Sequence, residues 1–276
     1  MNECVSTQNT IHVYQRHSVY QRQPFGSSTP HCQLSNTLFN TAFCIMNKSK
    51  NSNENEVSKG KLRFSVVCSS NMNRSMEAHA MLQKKGFNVR SFGSGSQVKL
   101  PGPSPTVHNI YSFSTPYEEI YQDLVAKDKN LYTQNGLLNM LDRNRRVKPH
   151  PERFQEYKGL SDVIICCEER VYDQKKKEDK CLNIIPTFIL MNTEMKHCHL
   201  VHIINIDIRD NHEEATCGAL LFCHLCTLLE KSADLDNEIE EILSNFENIC
   251  KRTILHTLAL KCSSVTSGKF HFEITW

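Results

Sequence analysis

In the run RFSVVCSSNMNRSMEAH, Arg63 to His79, a cysteine is followed six positions later by an arginine. These two residue types can carry phosphoryl transfer: a thiolate attacks phosphorus, and a guanidinium offers a planar fork to two phosphate oxygens. The residues between them, Ser69, Ser70, Asn71, Met72 and Asn73, are small or polar except Met72. Their backbone N–H groups can therefore converge on an anion where the next helix begins. The same N–H groups and the charge of Arg74 would favour Cys68 as a thiolate. Ser75 can hydrogen-bond that sulfur and help it leave when a phosphoenzyme breaks down. The spacing alone decides little, because a chain with 13 cysteines in 276 residues meets a Cys-x5-Arg by chance about as often as it is seen here. The bland alternative is a buried strand-end thiol beside a surface arginine.

Such chemistry also needs a proton donor, since the alkoxide of serine or threonine is a poor leaving group. Asp207 and Asp210, in DIRDN, follow an apolar run that ends near Ile206 and are the candidates, Asp210 the stronger. Asp210 has a competing use as a helix N-cap, which Asn211 could equally supply.

Positioning these groups requires strands that deliver them to one edge. Apolar runs at Leu62–Val67, Asn88–Phe92, Asp162–Cys166 and Leu200–Ile206 predict strands. Met76–Lys85, Pro116–Lys127 and Gly136–Asn144 predict helices between them, an alternation that implies an α/β fold: an open, mainly parallel sheet with helices on both faces. In such a sheet ligands bind beyond the carboxyl ends of the strands, where Cys68 and the two aspartates fall. A helix beginning at Asp210 or Asn211, with Glu213 and Glu214 in its first turn, is expected to be deeply packed. Ile239, Ile242, Leu243, Phe246 and Ile249 predict a final amphipathic helix covering it.

The remaining composition bounds the function. A net charge of +2 gives no polybasic groove for nucleic acid or a charged membrane. The scattered, odd-numbered cysteines fit a reducing compartment better than a disulfide scaffold. The longest uncharged apolar run, Ala215–Leu229, is too short for a bilayer span. Residues 1–60 hold 26 Asn, Gln, Ser or Thr and no sustained apolar period, which predicts disorder, with the folded domain over 61–262 and a tail over 263–276. Cys223 and Cys226 lie within an apolar helix and read as packing rather than a zinc or redox pair. His197, Cys198 and His199 could bind metal adventitiously, Lys175–Lys177 read as a solvated face, and NRRVKPHPERF as a loop or helix junction. No metal or cofactor is called for.

Six ordered blocks carry a family resemblance: VCSSNMNRSMEAH, VKLPGP at Val98–Pro103, LYTQNGLLNMLDRN at Leu131–Asn144, KPHPERF, CEERVYDQ at Cys167–Gln174 and DIRDNHEEAT at Asp207–Thr216. Together they closely resemble the Ssu-type phosphatases of the RNA polymerase II carboxy-terminal domain. The resemblance implies the fold of the low-molecular-weight tyrosine phosphatases with an added small helical subdomain. It implies removal of phosphate from the fifth-position serine of the polymerase heptad, with the following Ser-Pro bond cis. It further implies symplekin and the cleavage and polyadenylation machinery as partners, action in pre-mRNA 3′-end processing, and a nuclear location with the cytoplasm as a second. Carried over residue by residue, it makes Cys68 the nucleophile, Arg74 the phosphate clamp and Asp210 the general acid, with Lys99, Leu100, Pro101, Tyr132 and Met140 around the peptide.

The chain departs from that pattern in three places. Met72 replaces the usual polar residue, which a loop binding through backbone N–H groups should tolerate. Both termini extend beyond the resemblance. The segment between Gln174 and the last predicted strand is about eleven residues longer than the family's, and its apolar stretch Ile184–Met191 needs burial. An acid loop displaced by this segment would leave a phosphopeptide-binding scaffold without catalysis, the alternative reading. An ordinary tyrosine phosphatase or arsenate reductase is a third, weakened by the lack of a convincing pair of exchanging cysteines.

Overall fold

A computed structural model describes residues 61–178, 198–262, 264–266 and 269–271. The extension over 1–60, the stretch Ile184–Met191, His197 and most of the tail lie outside the described residues. The elements run β1 (Arg63–Cys68), α1 (Arg74–Lys84), β2 (Asn88–Gly93), β3 (Val98–Ser104), β4 (Val107–Tyr111), α2 (Tyr117–Gln134) and α3 (Leu137–Val147). They continue with β5 (Val163–Cys166), α4 (Glu169–Glu178), β6 (Cys198–Ile206), α5 (His212–Lys231), α6 (Leu235–Cys250) and β7 (Ile254–Cys262), then the short pair β8 (Ser264–Thr266) and β9 (Lys269–His271).

The central sheet has the order β2-β1-β5-β6-β7. The pairs β1–β2, β1–β5 and β5–β6 are parallel, and β7 runs antiparallel to β6. All four predicted strands form, each within two residues of its expected bounds. The chain leaves β1 on one side to make β2 and returns on the other to make β5. The carboxyl end of β1 is therefore the topological switch point, where the diverging connections leave a crevice.

Strand alternation sorts the apolar side chains to the two faces. Phe64, Val66, Val163, Ile165, Ile204 and Ile206 pack beneath α1, α5 and α6, with Leu82, Phe222, Leu225, Leu229, Leu243 and Phe246. Val67, Ile164, Val201 and Ile203 face the other way, onto Phe92, Val171 and Tyr172, with Phe154 and Tyr157 at the margin. Helix α5 packs as predicted, and Cys223 and Cys226 are buried free thiols within it. In α6 the predicted stripe holds for Ile239, Leu243 and Phe246, whereas Ile249 is 44% exposed and Cys250 takes the buried place.

The added subdomain is not wholly helical. The antiparallel hairpin β3–β4 packs on α2 and α3, and Val98, Leu100, Ile120, Leu124, Tyr132, Leu138 and Leu141 form its own core. Helix α2 bends at Asp128, whose backbone is extended (φ −165°, ψ 92°), at the point where the predicted helix stops. The Asp128 carboxylate accepts from the Leu131 N–H at 2.9 Å and so recaps the chain, which continues helical to Gln134. NRRVKPHPERF is the predicted junction: α3 ends at Val147 and the chain turns towards β5. The hairpin, β7 and α4 are additions to the elements expected from sequence. Among the described residues no helix is long and apolar enough to cross a membrane.

Candidate active site

Strand β1 delivers Cys68 to the crevice, and the chain to Arg74 closes a loop whose carbonyl oxygens are taken up by surrounding elements. Ser94 N–H donates to the Cys68 carbonyl and Gly95 N–H to that of Ser69, both at 2.9 Å. The buried Tyr117 hydroxyl donates to the Asn71 carbonyl at 2.7 Å. Burial pushes the Tyr117 pKa well up, so this phenol stays a donor. The Met72 carbonyl accepts from Asn144 Nδ2 at 2.7 Å and Arg143 Nη2 at 3.0 Å, and the Asn73 carbonyl from the Glu77 N–H at 2.9 Å. In a trans peptide the C=O and the following N–H point in opposite directions, so carbonyls fixed outward turn the N–H groups inward as an anion cradle.

Asn71 bends the loop. Its φ of 52° is left-handed, a conformation that asparagine tolerates better than most side chains. Its amide holds the turn, donating to Ser75 Oγ at 2.9 Å and accepting from Glu152 N–H at 2.9 Å. Ser75, fully buried, lies 3.1 Å from the Cys68 sulfur, as the sequence predicts. Met72 is buried in the subdomain core, so its side chain is used for packing while its peptide serves the loop.

Arg74 opens α1 and is only 5% exposed. Its Nη1 donates to the Ile208 carbonyl at 2.9 Å, while Nη2 lies 3.4 Å from both Ser69 Oγ and Asp210 Oδ2. Burial opposes its charge, but Cys68, Asp210 and Glu168 outweigh that and raise its pKa. Nε is buried without a partner among the described residues.

The two carboxylates separate cleanly. Asp207 Oδ1 accepts from the Glu169 N–H at 2.7 Å and so caps α4. Asn211 is the N-cap of α5, its side chain accepting from the Glu214 N–H at 2.8 Å. Asp210 is thereby released from capping. Its Oδ1 accepts from Asn73 Nδ2 at 3.0 Å, which brings a half-exposed carboxylate against the Cys68 loop. Most of the longer segment, 179–197, lies outside the described residues.

A cleft of about 170 Å³ opens above the cysteine, lined by Cys68, Ser70, Met72, Asn73 and Asp210 on one side and Lys99, Leu100, Pro101 and Met140 on the other. Tyr132 does not line it: the residue is 1% exposed, and its hydroxyl meets Asn109 Nδ2 at 2.9 Å. The same Asn109 amide donates to the Pro101 carbonyl at 2.9 Å, so Tyr132 supports the wall from behind. Asn135, Gly136, Leu137, Asn211 and His212 also line the cleft. The first two form a turn that Asn-Gly signals in sequence, with Gly136 at φ 80°, and Leu137 opens α3 after it, although nothing there announces a binding surface. Of the His197–His199 group, the described His199 sits at the opposite end of the strands, 2.9 Å from Asp162, and among the described residues no cluster suits a metal ion.

This arrangement can seat a dianion on the loop N–H groups and Arg74, in a cleft that the Cys68 sulfur and the Asp210 carboxylate share. The Ssu72-like protein family model matches residues 62–261. The RNA polymerase II C-terminal domain phosphatase SSU72 of Xenopus laevis is 57% identical over 197 residues, 71% of this chain and 96% of that protein. Its Homo sapiens counterpart is 55% identical over the same length and shares. A crystal structure of the Drosophila melanogaster serine phosphatase of the polymerase II domain superposes with a TM-score of 0.62 at 50% identity, covering 72% of this chain and 100% of that one. The D. melanogaster complex of Ssu72 and Symplekin, bound to a cis peptidomimetic of the polymerase domain phosphorylated on its fifth-position serine, gives a TM-score of 0.62 at 48% identity, with 73% and 99% covered. With more than half of 197 aligned residues identical and the Cys68 loop inside the matched region, this chain belongs to the Ssu72-like family.

Proposed function

We propose that the protein is a cysteine-dependent protein serine phosphatase acting on the fifth-position serine of the RNA polymerase II carboxy-terminal heptad. The carrying observation is the Asp210 carboxylate, free of capping, set against the loop that joins Cys68 to Arg74. In the first step the Cys68 thiolate attacks phosphorus as the phosphorus–oxygen bond breaks, and Asp210 in its acid form protonates the departing serine oxygen. The loop N–H groups and Arg74 hold the equatorial oxygens, whose charge they stabilise in the transition state. In the second step water attacks the thiophosphate, its proton passes to the Asp210 carboxylate, and Ser75 Oγ stabilises the sulfur as the phosphorus–sulfur bond breaks. The cycle returns thiolate, acid and inorganic phosphate.

The substrate reading rests on the cleft wall. The phosphate cradle by itself accepts any phosphoester, whereas Leu100, Pro101 and Met140 offer an apolar surface to a kinked proline. The cis peptidomimetic held by the Drosophila relative supports the same geometry here. By the same likeness we infer a symplekin-type scaffold as partner, action in pre-mRNA 3′-end processing, and the nucleus as the place of action.

Steady-state phosphate release from a heptad peptide phosphorylated on its fifth-position serine tests the proposal. The expected outcome is turnover by the full chain and none by Cys68→Ser. Turnover by the serine variant would refute the phosphoenzyme, and tight binding without release would favour the scaffold reading.

A further inference from the structure

The segment carrying Asp210 is short, and its two ends are held by one side chain from a distant part of the sequence. Helix α6 ends at Cys250, and its C-cap Lys251, with a left-handed backbone (φ 54°), reverses the chain. Strand β7 then begins at Ile254, opposite Ile206 at the carboxyl end of β6. This places Arg252 beside the acid loop. Its Nη1 donates to the Asp207 carbonyl at 2.9 Å, and its Nη2 pairs with Glu214 Oε2 at 2.9 Å. One planar guanidinium thus joins the residue three before Asp210 to the residue four after it, in the first turn of α5.

The partners are partly shielded, Arg252 at 20% and Glu214 at 30% side-chain exposure, so the pair is less screened than a surface bridge. Between the clamped ends, Ile208 N–H donates to the Cys167 carbonyl at 3.0 Å and the Ile208 carbonyl accepts from Arg74. The Asp210 carboxylate itself is 55% exposed and, among the described residues, meets the polar ends of Asn73 Nδ2 and Arg74 Nη2. Its aim therefore depends on the backbone that carries it.

We propose that Arg252 is a positioning residue for the proton donor: it holds the Asp207–Asn211 loop at the distance from which Asp210 reaches the leaving oxygen. The proposal rests on Asp210 as general acid. Arg252 touches no reacting atom, so its loss should act through Asp210 alone, on protonation of the leaving oxygen in the first step and on acceptance of the water's proton in the second, and only the first depends on the leaving group. A poor leaving group, the serine alkoxide, needs protonation as its bond breaks, whereas 4-nitrophenolate does not.

Single-turnover cleavage with the full chain in excess isolates that step. For Arg252→Met we expect a fall of about 10- to 100-fold on the phosphoserine heptad peptide, the range that misplacement by about an ångström produces. On 4-nitrophenyl phosphate the change should stay within about threefold, with KM for the peptide little altered. Arg252→Lys, which can satisfy one of the two contacts, should recover part of the loss. Glu214→Gln keeps the shape of the pair while removing its charge, and should show the same substrate selectivity at smaller amplitude should Arg252→Met fail to fold. Equal losses on both substrates would mean a purely structural arginine and overturn the proposal. Asp210→Asn serves as the reference: if it too lost both activities equally, the general-acid reading would fall, an outcome distinct from failure of Arg252 alone.

Discussion

Arg74 shows how one side chain serves the anion and the framework together. Its Nη1 fixes the Ile208 carbonyl, and its Nη2 faces Ser69 of the loop and the Asp210 carboxylate. Lysine has the charge but not the fork, and it cannot serve a carbonyl, a carboxylate and a phosphate in one plane. Arg74→Lys should therefore lower kcat/KM on the phosphoserine peptide by about 10²- to 10³-fold, the usual cost of one preorganised donor, as steady-state phosphate release will register. The loss should appear on 4-nitrophenyl phosphate as well, because both substrates present the same phosphate. That separates the clamp from the acid. Cys167 illustrates the opposite case: a neighbouring thiol that full burial pushes well up in pKa and keeps out of the chemistry.

At the scale of elements, the acid loop is set by how closely α5 approaches it. A Cβ added to Gly218 would lie 2.8 Å from Ile208 Cδ1 and 2.9 Å from Cγ1, so the helix comes this near only because the residue is glycine. Ile208 is 3% exposed and its carbonyl is the Arg74 anchor, leaving the side chain little room to yield. Gly218→Ala should cost about 1–3 kcal/mol of stability by overpacking, visible in urea denaturation. It should also slow cleavage of the serine peptide more than that of the aryl ester, since the strain reaches Asp210 first. The subdomain acts in a similar way on the phosphate loop. Helix α3 supplies Leu137 and Met140 to the cleft and, one to two turns on, Arg143 and Asn144 to the Met72 carbonyl.

For the molecule as a whole, a buried cluster behind the phosphate loop couples stability to pH. His79 on α1 lies 2.8 Å from Ser91 Oγ on β2 and is 8% exposed. Burial, followed by the positive charge of Lys148, lowers its pKa to about 4, with Glu152 opposing and Arg90 adding to the depression. Lys148 is itself lowered to about 8, chiefly by burial, and reaches the Ser91 carbonyl at 2.6 Å. Because the folded His79 pKa lies below the unfolded value near 6.5, the unfolded chain binds the extra proton between those values. Stability is then full above about pH 6.5 and falls as the pH drops towards 4, by roughly 3 kcal/mol from this group. His79→Gln should flatten that part of the profile of unfolding free energy against pH. An unchanged slope would assign the acid sensitivity to other groups, such as His224 and His256, which burial also lowers.

Much of this protein could be read from local sequence, because local physics determined it. The parallel strands were legible as doubly buried apolar runs, the helices as periodic stripes, and the Cys68 loop as a strand that ends in small polar residues before a helix. The division of labour among Asp207, Asp210 and Asn211 was not legible. Three neighbouring polar residues can all cap or all accept, and only the approach of Glu169, Asn73 and Glu214 assigns each its partner. Tyr132 is likewise expected on the cleft wall, yet the packing of the hairpin on α2 turns it inward behind Asn109. The hairpin itself was hidden by its prolines and glycine at Pro101, Gly102 and Pro103, and β7 by following a helix without a clear turn signal. Sequence by itself determined which groups stand at the carboxyl edge of the sheet. The tertiary structure decided which of them face one another, because hydrogen-bond geometry depends on residues such as Arg252, distant along the chain from Asp210 and returned to it by the antiparallel pairing of β7.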